Sequence, residues 1–158
     1  MPTIHLTTFI AAPAERIFDL SRSIDLHKKS MAHTQETAVG GTTLGLIENN
    51  ETVTWKAKHL GKMRLLKVKI AGMNKPLSFT DEMVSGDFHS MRHEHHFKTV
   101  ENGTLLIDLF DFEAPYGNLG KLFSKLYLTK YLRRLLEQRN SVIREYAESD
   151  KWKFILNR

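Results

Sequence analysis

Cysteine is absent from the chain. That excludes a disulfide framework, a thiol nucleophile, iron–sulfur ligation and any zinc site built on thiolates. No apolar run approaches the roughly 20 residues that a membrane span requires. The opening MPTIHLTTFIAAPAERIF has no basic n-region and puts Pro13 and charges where a signal h-region would continue. A cytoplasmic protein with no integral membrane association is the expectation. Repeats, low-complexity tracts and linker-like stretches are missing too, which points to one domain. There is no GxGxxG, no P-loop and no G-x-S-x-G, so nothing announces a nucleotide cofactor or an elbow serine.

What is present is the composition of an ordinary folded domain: 158 residues, 41% hydrophobic and 26% charged. A chain of this length buries roughly two thirds of its unfolded surface and needs no metal or disulfide staple. The net charge of +5 is unevenly spread. Residues 118–158 hold ten Lys/Arg against four Asp/Glu, while the remainder is close to neutral. Lys28, Lys29, Lys121, Lys125, Lys130, Arg133 and Arg134 read as the wet sides of helices, and no nucleic-acid partner is expected.

Thr3 to Ile10 alternates with β-branched residues and stops before Pro13, as a first strand does. From Pro13 the apolar spacing becomes Ile17, Leu20, Ile24 and Leu26, which suits one or two short helices. Gly40-Gly41 reads as a turn. Four alternating segments follow, around residues 53–59, 66–70, 79–83 and 89–98. Asn102-Gly103 then predicts a two-residue type I′ hairpin loop. In that register Glu101 pairs with Thr104, Phe97 faces Asp108, His95 faces Phe110 and His93 faces Phe112.

Beyond Pro115 the period becomes helical from about Asn118 to Ala147, with a broad stripe from Leu119, Leu122, Phe123 and Leu126 through Leu132, Leu135, Leu136, Val142, Ile143 and Tyr146. A helix of this length runs about 45 Å, enough to cross a whole sheet. Strand, short helices, antiparallel meander and one long helix make an α+β arrangement.

Alternation turns one set of meander residues inward. Its apolar members are Trp55, Phe79, Met83, Met91, Phe97, Phe110 and Phe112; its polar members are His59, Asp81, His93, His95 and Asp108. An apolar wall with a few convergent polar groups is the usual make-up of a small-molecule site, and equally of a core. The polar members need partners wherever they are buried. His93 and His95, two apart on a strand, share a side and with His59 and Asp108 suggest metal ligands; two same-face histidines carry too little, and no metal is expected.

These elements and residues together resemble the START-like (SRPBCC) superfamily, whose fold is the helix-grip. The stretches that carry the resemblance are Ala12–Phe18 (APAERIF), Asp25–His27 (DLH), Val53–His59 (VTWKAKH), Phe79–Met83 (FTDEM), His93–Phe97 (HEHHF), Asp108 and Ala114–Gly120 (APYGNLG). More narrowly, the chain is similar to small stand-alone bacterial ligand-binding SRPBCC proteins, some of them cell-division-inhibitor-like. The match runs from about Thr3 to Glu148.

The resemblance implies a curved antiparallel sheet wrapped around the C-terminal helix, with residues 1–148 as the ligand-binding domain. Residues 149–158 fall outside the match, and a tail packed on or near the domain is the expectation for them. The implied function is binding of a small hydrophobic or amphipathic molecule between sheet and helix. Trp55, Phe79, Met83, Phe97 and Phe110 would bury its apolar part, and His59, Asp81, His93, His95 and Asp108 would fix its polar end. No cofactor is expected, and monomer or weak dimer stays open. Two alternatives stand beside this reading. One is a polyketide cyclase-like or hydrolase-like enzyme using His93, His95 and Asp108. The other is an interaction module in cell-division control with a vestigial pocket.

Overall fold

The computed structural model describes residues 3–114 and 118–156, with 118–125 as backbone only. Seven strands are present among them: β1 (Thr3–Ile10), β2 (Thr37–Gly41), β3 (Thr52–His59), β4 (Lys62–Asn74), β5 (Ser78–Ser85), β6 (Ser90–Val100) and β7 (Gly103–Glu113). They form one antiparallel sheet in the order β1-β7-β6-β5-β4-β3-β2. Helices α1 (Ala14–Ser21) and α2 (Ile24–Ser30) connect β1 to β2; α3 (Asn118–Ala147) and α4 (Trp152–Leu156) close the chain. This is the helix-grip α+β architecture. Among the described residues no helix is long and apolar enough to cross a membrane.

Local chemistry accounts for the elements that frame the site. Pro13, with φ −66°, stands at the cap of α1, where its missing N–H costs nothing. The Ser23 hydroxyl accepts from the Leu26 N–H at 3.1 Å and starts α2. Register shifts at Ala38/Gly40, Lys67/Val68 and Ile70/Gly72 bend β2 and β4, as bulges do. The core lies on the helix-bearing face of the sheet, where Ile4, Ile70, Leu106 and Phe112 meet Ile17, Phe18, Leu20, Leu136 and Ile143. Phe18 is its hub, edge-on to both Phe79 (5.4 Å) and Phe97 (5.2 Å). In α4, Leu156 is buried and Trp152 lies 4.2 Å below the Arg16 guanidinium of α1.

Three readings of the sequence are corrected. The β6–β7 register is displaced by two residues: Val100 pairs with Gly103, Phe97 with Leu106, His95 with Asp108 and His93 with Phe110. The turn residues are therefore Glu101 and Asn102, and only Asn102 has positive φ (66°), whereas a type I′ turn needs both. Gly103 is required for a different reason. A Cβ there would stand 2.4 Å from the Ile10 carbonyl oxygen of β1. Because the displacement is even, every side chain keeps its face and only the partners change.

Gly40-Gly41 is the end of edge strand β2, not a free turn, although Gly41 does need its positive φ of 69°. Leu126, placed by periodicity on the buried stripe of α3, is 70% exposed. The side chains of Leu119, Leu122 and Phe123, and residues 115–117 of the APYGNLG stretch, lie outside the described residues.

Candidate functional site

β5, β6 and β7 lie side by side, and the true register sets Asp81 beside His93 and His95 beside Asp108. The middle of α3 crosses the same face of the sheet. Two residues that the sequence reading passed over, Arg139 and Asn140, enter this set and are 4% and 1% exposed. The signal for them was spacing. Leu136 and Ile143 are buried, and positions three and four residues onward from Leu136 share their side of the helix.

Asp108 is the anchor. It is fully buried; its Oδ1 accepts from His93 Nε2 (2.7 Å) and Arg139 Nη1 (3.1 Å), and its Oδ2 accepts from Asn140 Nδ2 (2.7 Å). Burial alone would raise its pKa, but the His93 hydrogen bond and the Arg139 charge outweigh that and hold the carboxyl well below the usual range. Arg139 then reaches on, its Nη2 donating to His95 Nδ1 at 3.1 Å. A guanidinium has donors only, so Nδ1 of His95 is the acceptor and Nε2 carries the proton. That Nε2–H donates to Asp81 Oδ2 at 3.1 Å.

His95 is accordingly a neutral imidazole. Burial, with neighbouring His93 adding to it, lowers its pKa to about 4 against the attraction of Asp81. Asp81 is also ionised: burial works against it, but its contact with His95 prevails and its pKa is lowered. Phe79 stacks on the His95 ring at 4.1 Å, His93 stacks on the other side at 3.8 Å, and Phe110 stands edge-on to His93 at 5.1 Å. The imidazoles are thus fixed by packing as well as by hydrogen bonds.

The chain of bonds leads from the interior outward, with Arg139 donating to both Asp108 and His95. It runs from sealed Asp108 through Arg139 and His95 to Asp81, whose side chain alone among these stays 21% exposed. On the same sheet face Met83, two residues along β5 from Asp81, and Leu66 and Met73 of β4 also keep part of their surface. Deeper in, the gap between α1, α2 and α3 bordered by Leu20, Leu26, Arg139 and Ile143 has no room for a water molecule. Polar matter from outside can therefore meet this network at Asp81.

Other expected site residues lie elsewhere. His59, at the end of β3, is within 2.6 Å of the Tyr131 hydroxyl of α3 through Nδ1. Burial lowers the His59 pKa, with Arg64 and His33 adding to it against Glu36, and burial raises that of Tyr131. Trp55 is buried against His27, ring centres 4.3 Å apart, and His27 Nε2 lies 2.6 Å from Glu36 Oε1. Phe97 packs between Phe18 and Phe79 in the core.

Asp81, His93 and His95 offer ligand atoms within 4.8 Å of one another, the geometry of a metal cluster. The Arg139 guanidinium, 3.1 Å from both His95 and Asp108, opposes a second cation there. Catalysis by His95 meets a different obstacle. Both of its nitrogens are engaged, and an imidazole that protonates near pH 4 makes a poor general base at neutral pH.

No family model and no curated protein matches the chain. Solved structures do. A protein of Thermus thermophilus superposes with TM-score 0.75 at 20% identity, over 92% of this chain and 97% of that one. The fold is that of the START-like (SRPBCC) proteins. Ginseng major latex-like protein 151 from Panax ginseng gives TM-score 0.68 at 17% identity, over 94% of this chain and 98% of its own. The di-domain ARO/CYC StfQ of the steffimycin biosynthetic pathway gives TM-score 0.73 at 9% identity, over 92% of this chain and 50% of its own. At these identities the START-like likeness is one of architecture, and function rests on the site.

Proposed function

We propose that this START-like chain is a cytoplasmic binder of a small amphipathic molecule, held between the inner sheet face and α3 with its polar end on Asp81. The observation that carries this is the hydrogen-bond chain that ends at a partly exposed, ionised carboxylate on a sheet face with partly buried apolar side chains. Asp81 has lone pairs left after His95 and no proton to give. Its complement is therefore a donor: a hydroxyl, a phenol or an amine. A carboxylate or phosphate head would meet like charge with no donor to receive it. Apolar contact with Leu66, Met73 and Met83 supplies affinity, and Asp81 supplies selection, since apolar walls discriminate poorly between similar ligands.

Native mass spectrometry of the protein as purified from cells, followed by denaturing extraction, tests this reading. The expected result is a reproducible added mass from an amphiphile bearing a hydroxyl or amino group. An extracted fatty acid would count against it, and so would bare protein that no alcohol, phenol or amine stabilises against heat.

A further inference from the structure

The opposite face of the sheet carries a separate feature. Strands β2, β3 and β4 contain no Asp or Glu at all, yet carry Lys56, Lys58, Lys67 and Lys69 on this face. The pairing sets Lys56 against Leu65 and Lys58 against Met63. Alternation turns these, with Lys67 and Lys69, away from the core that holds Trp55, Val68 and Ile70. The acids nearest are Glu82, directly across from Lys69 in register and 3.7 Å from Arg92, and Asp87, 2.7 Å from Arg64. Among the described residues no ion pair involves any of these four lysines.

The same face exposes large apolar side chains: Val39 (52%), Met63 (43%) and Leu65 (57%). With Lys56 and Arg64 they line an open concavity of about 440 Å³. Cross-strand neighbours stand within a Debye length of roughly 8–10 Å, so the lysines act on a partner as one field. We infer that this face docks on an anionic lipid bilayer, the lysines meeting the headgroups while Val39, Met63 and Leu65 enter the interface.

Interspersed cations and aliphatic side chains are the composition of an interfacial element. A single-stranded nucleic acid asks for aromatic platforms, and β2–β4 present no aromatic residue outward. The face lies across the sheet from Asp81, so its test is independent of the ligand reading.

The test is flotation of the full chain with vesicles of about seven parts phosphatidylcholine to three of phosphatidylglycerol, beside phosphatidylcholine alone. Binding to the anionic vesicles only, released by high salt, is the expected result. The variant Lys56→Glu/Lys67→Glu/Lys69→Glu should lower partitioning by about a hundredfold, on the scale of roughly one kcal/mol per basic residue. Its melting temperature should stay close to that of the parent. Because the chain lacks cysteine, Leu65→Cys bearing an environment-sensitive dye reports insertion in the unaltered lysine background. Its emission should shift to the blue on anionic vesicles, and that of dye on Asp150→Cys should not. Absent flotation, flotation indifferent to the triple substitution, or equal response of the two dyes would overturn the inference. An oligonucleotide that binds and displaces the vesicles with no shift at Leu65 would overturn it as well.

Discussion

Asp108→Ala is expected to cost about 3–5 kcal/mol of folding free energy at neutral pH, the largest effect of any single substitution in the network. The size comes from what is left behind. Asp108 is fully buried and Arg139 nearly so; without the carboxylate, the guanidinium keeps a charge it cannot release in a setting without water. His93 loses its acceptor in the same step, and Asn140 the nearer of its two. Against a usual stability of roughly 5–15 kcal/mol, the loss is a large fraction of what holds a domain of this size.

A rescue is expected from the same physics. Asp108→Leu/Arg139→Met removes both charges together and should recover much of the loss, because a buried pair exchanged for apolar volume is close to neutral. Urea midpoints at pH 7 for the three proteins check this. A double variant no more stable than Asp108→Ala would mean that the ion pair is not the source of the cost.

The second large effect is a loss of stability between pH 6.5 and about 4, caused by His95. Folded, this imidazole protonates near 4, against 6.5 when unfolded. Above 6.5 both states are neutral and the group is silent. As pH falls below 6.5 the unfolded chain takes up a proton that the folded one refuses, and stability declines until the folded pKa is reached. At about 1.36 kcal/mol per unit the whole window is worth about 3 kcal/mol. Asp81 and Asp108 act lower, because depressed carboxylate pKa values hold their stabilisation until pH falls below about 3.8. The two contributions are therefore separable.

His95→Gln is the informative variant. Its amide accepts and donates much as the neutral ring does, and does not titrate. The pH dependence of its urea midpoint between 6.5 and 4 should flatten markedly, leaving the smaller part due to His59 and other groups. A slope equal to that of the parent would exclude His95 as its origin.

Much of the fold was legible in the sequence because it depends on period. Alternation in β3 to β7 and the 3.6 spacing of α3 are direct imprints of one-sided burial, and the even β6–β7 displacement did not disturb them. Partner identity was not legible in the same way. Asn102-Gly103 has the composition of a type I′ loop, yet Gly103 is demanded by the close approach of the Ile10 carbonyl, a contact with a strand far away in sequence. β2 escaped because Gly40 and Gly41 resemble a break when their pairing with β3 is unseen.

The candidate site divided along the same line. Asp81, His93, His95 and Asp108 were found by face, whereas His59 shares the face but stands at the far end of β3 against Tyr131. Arg139 and Asn140 were missed because only the sheet's buried carboxylate makes a buried guanidinium affordable. That pairing joins residues 31 positions apart.

The central claim is that Asp81 receives a donor at the mouth of a closed network. Isothermal titration of the protein with dodecylamine, dodecanol and dodecanoate tests it at constant chain length, in the parent and in Asp81→Asn. The account predicts that the amine binds most tightly and the carboxylate most weakly. It also predicts that Asp81→Asn weakens the amine by about tenfold or more while changing dodecanol far less, as removal of a charge-assisted bond requires. Dodecanoate binding as tightly as dodecylamine, or an amine affinity untouched by Asp81→Asn, would contradict it.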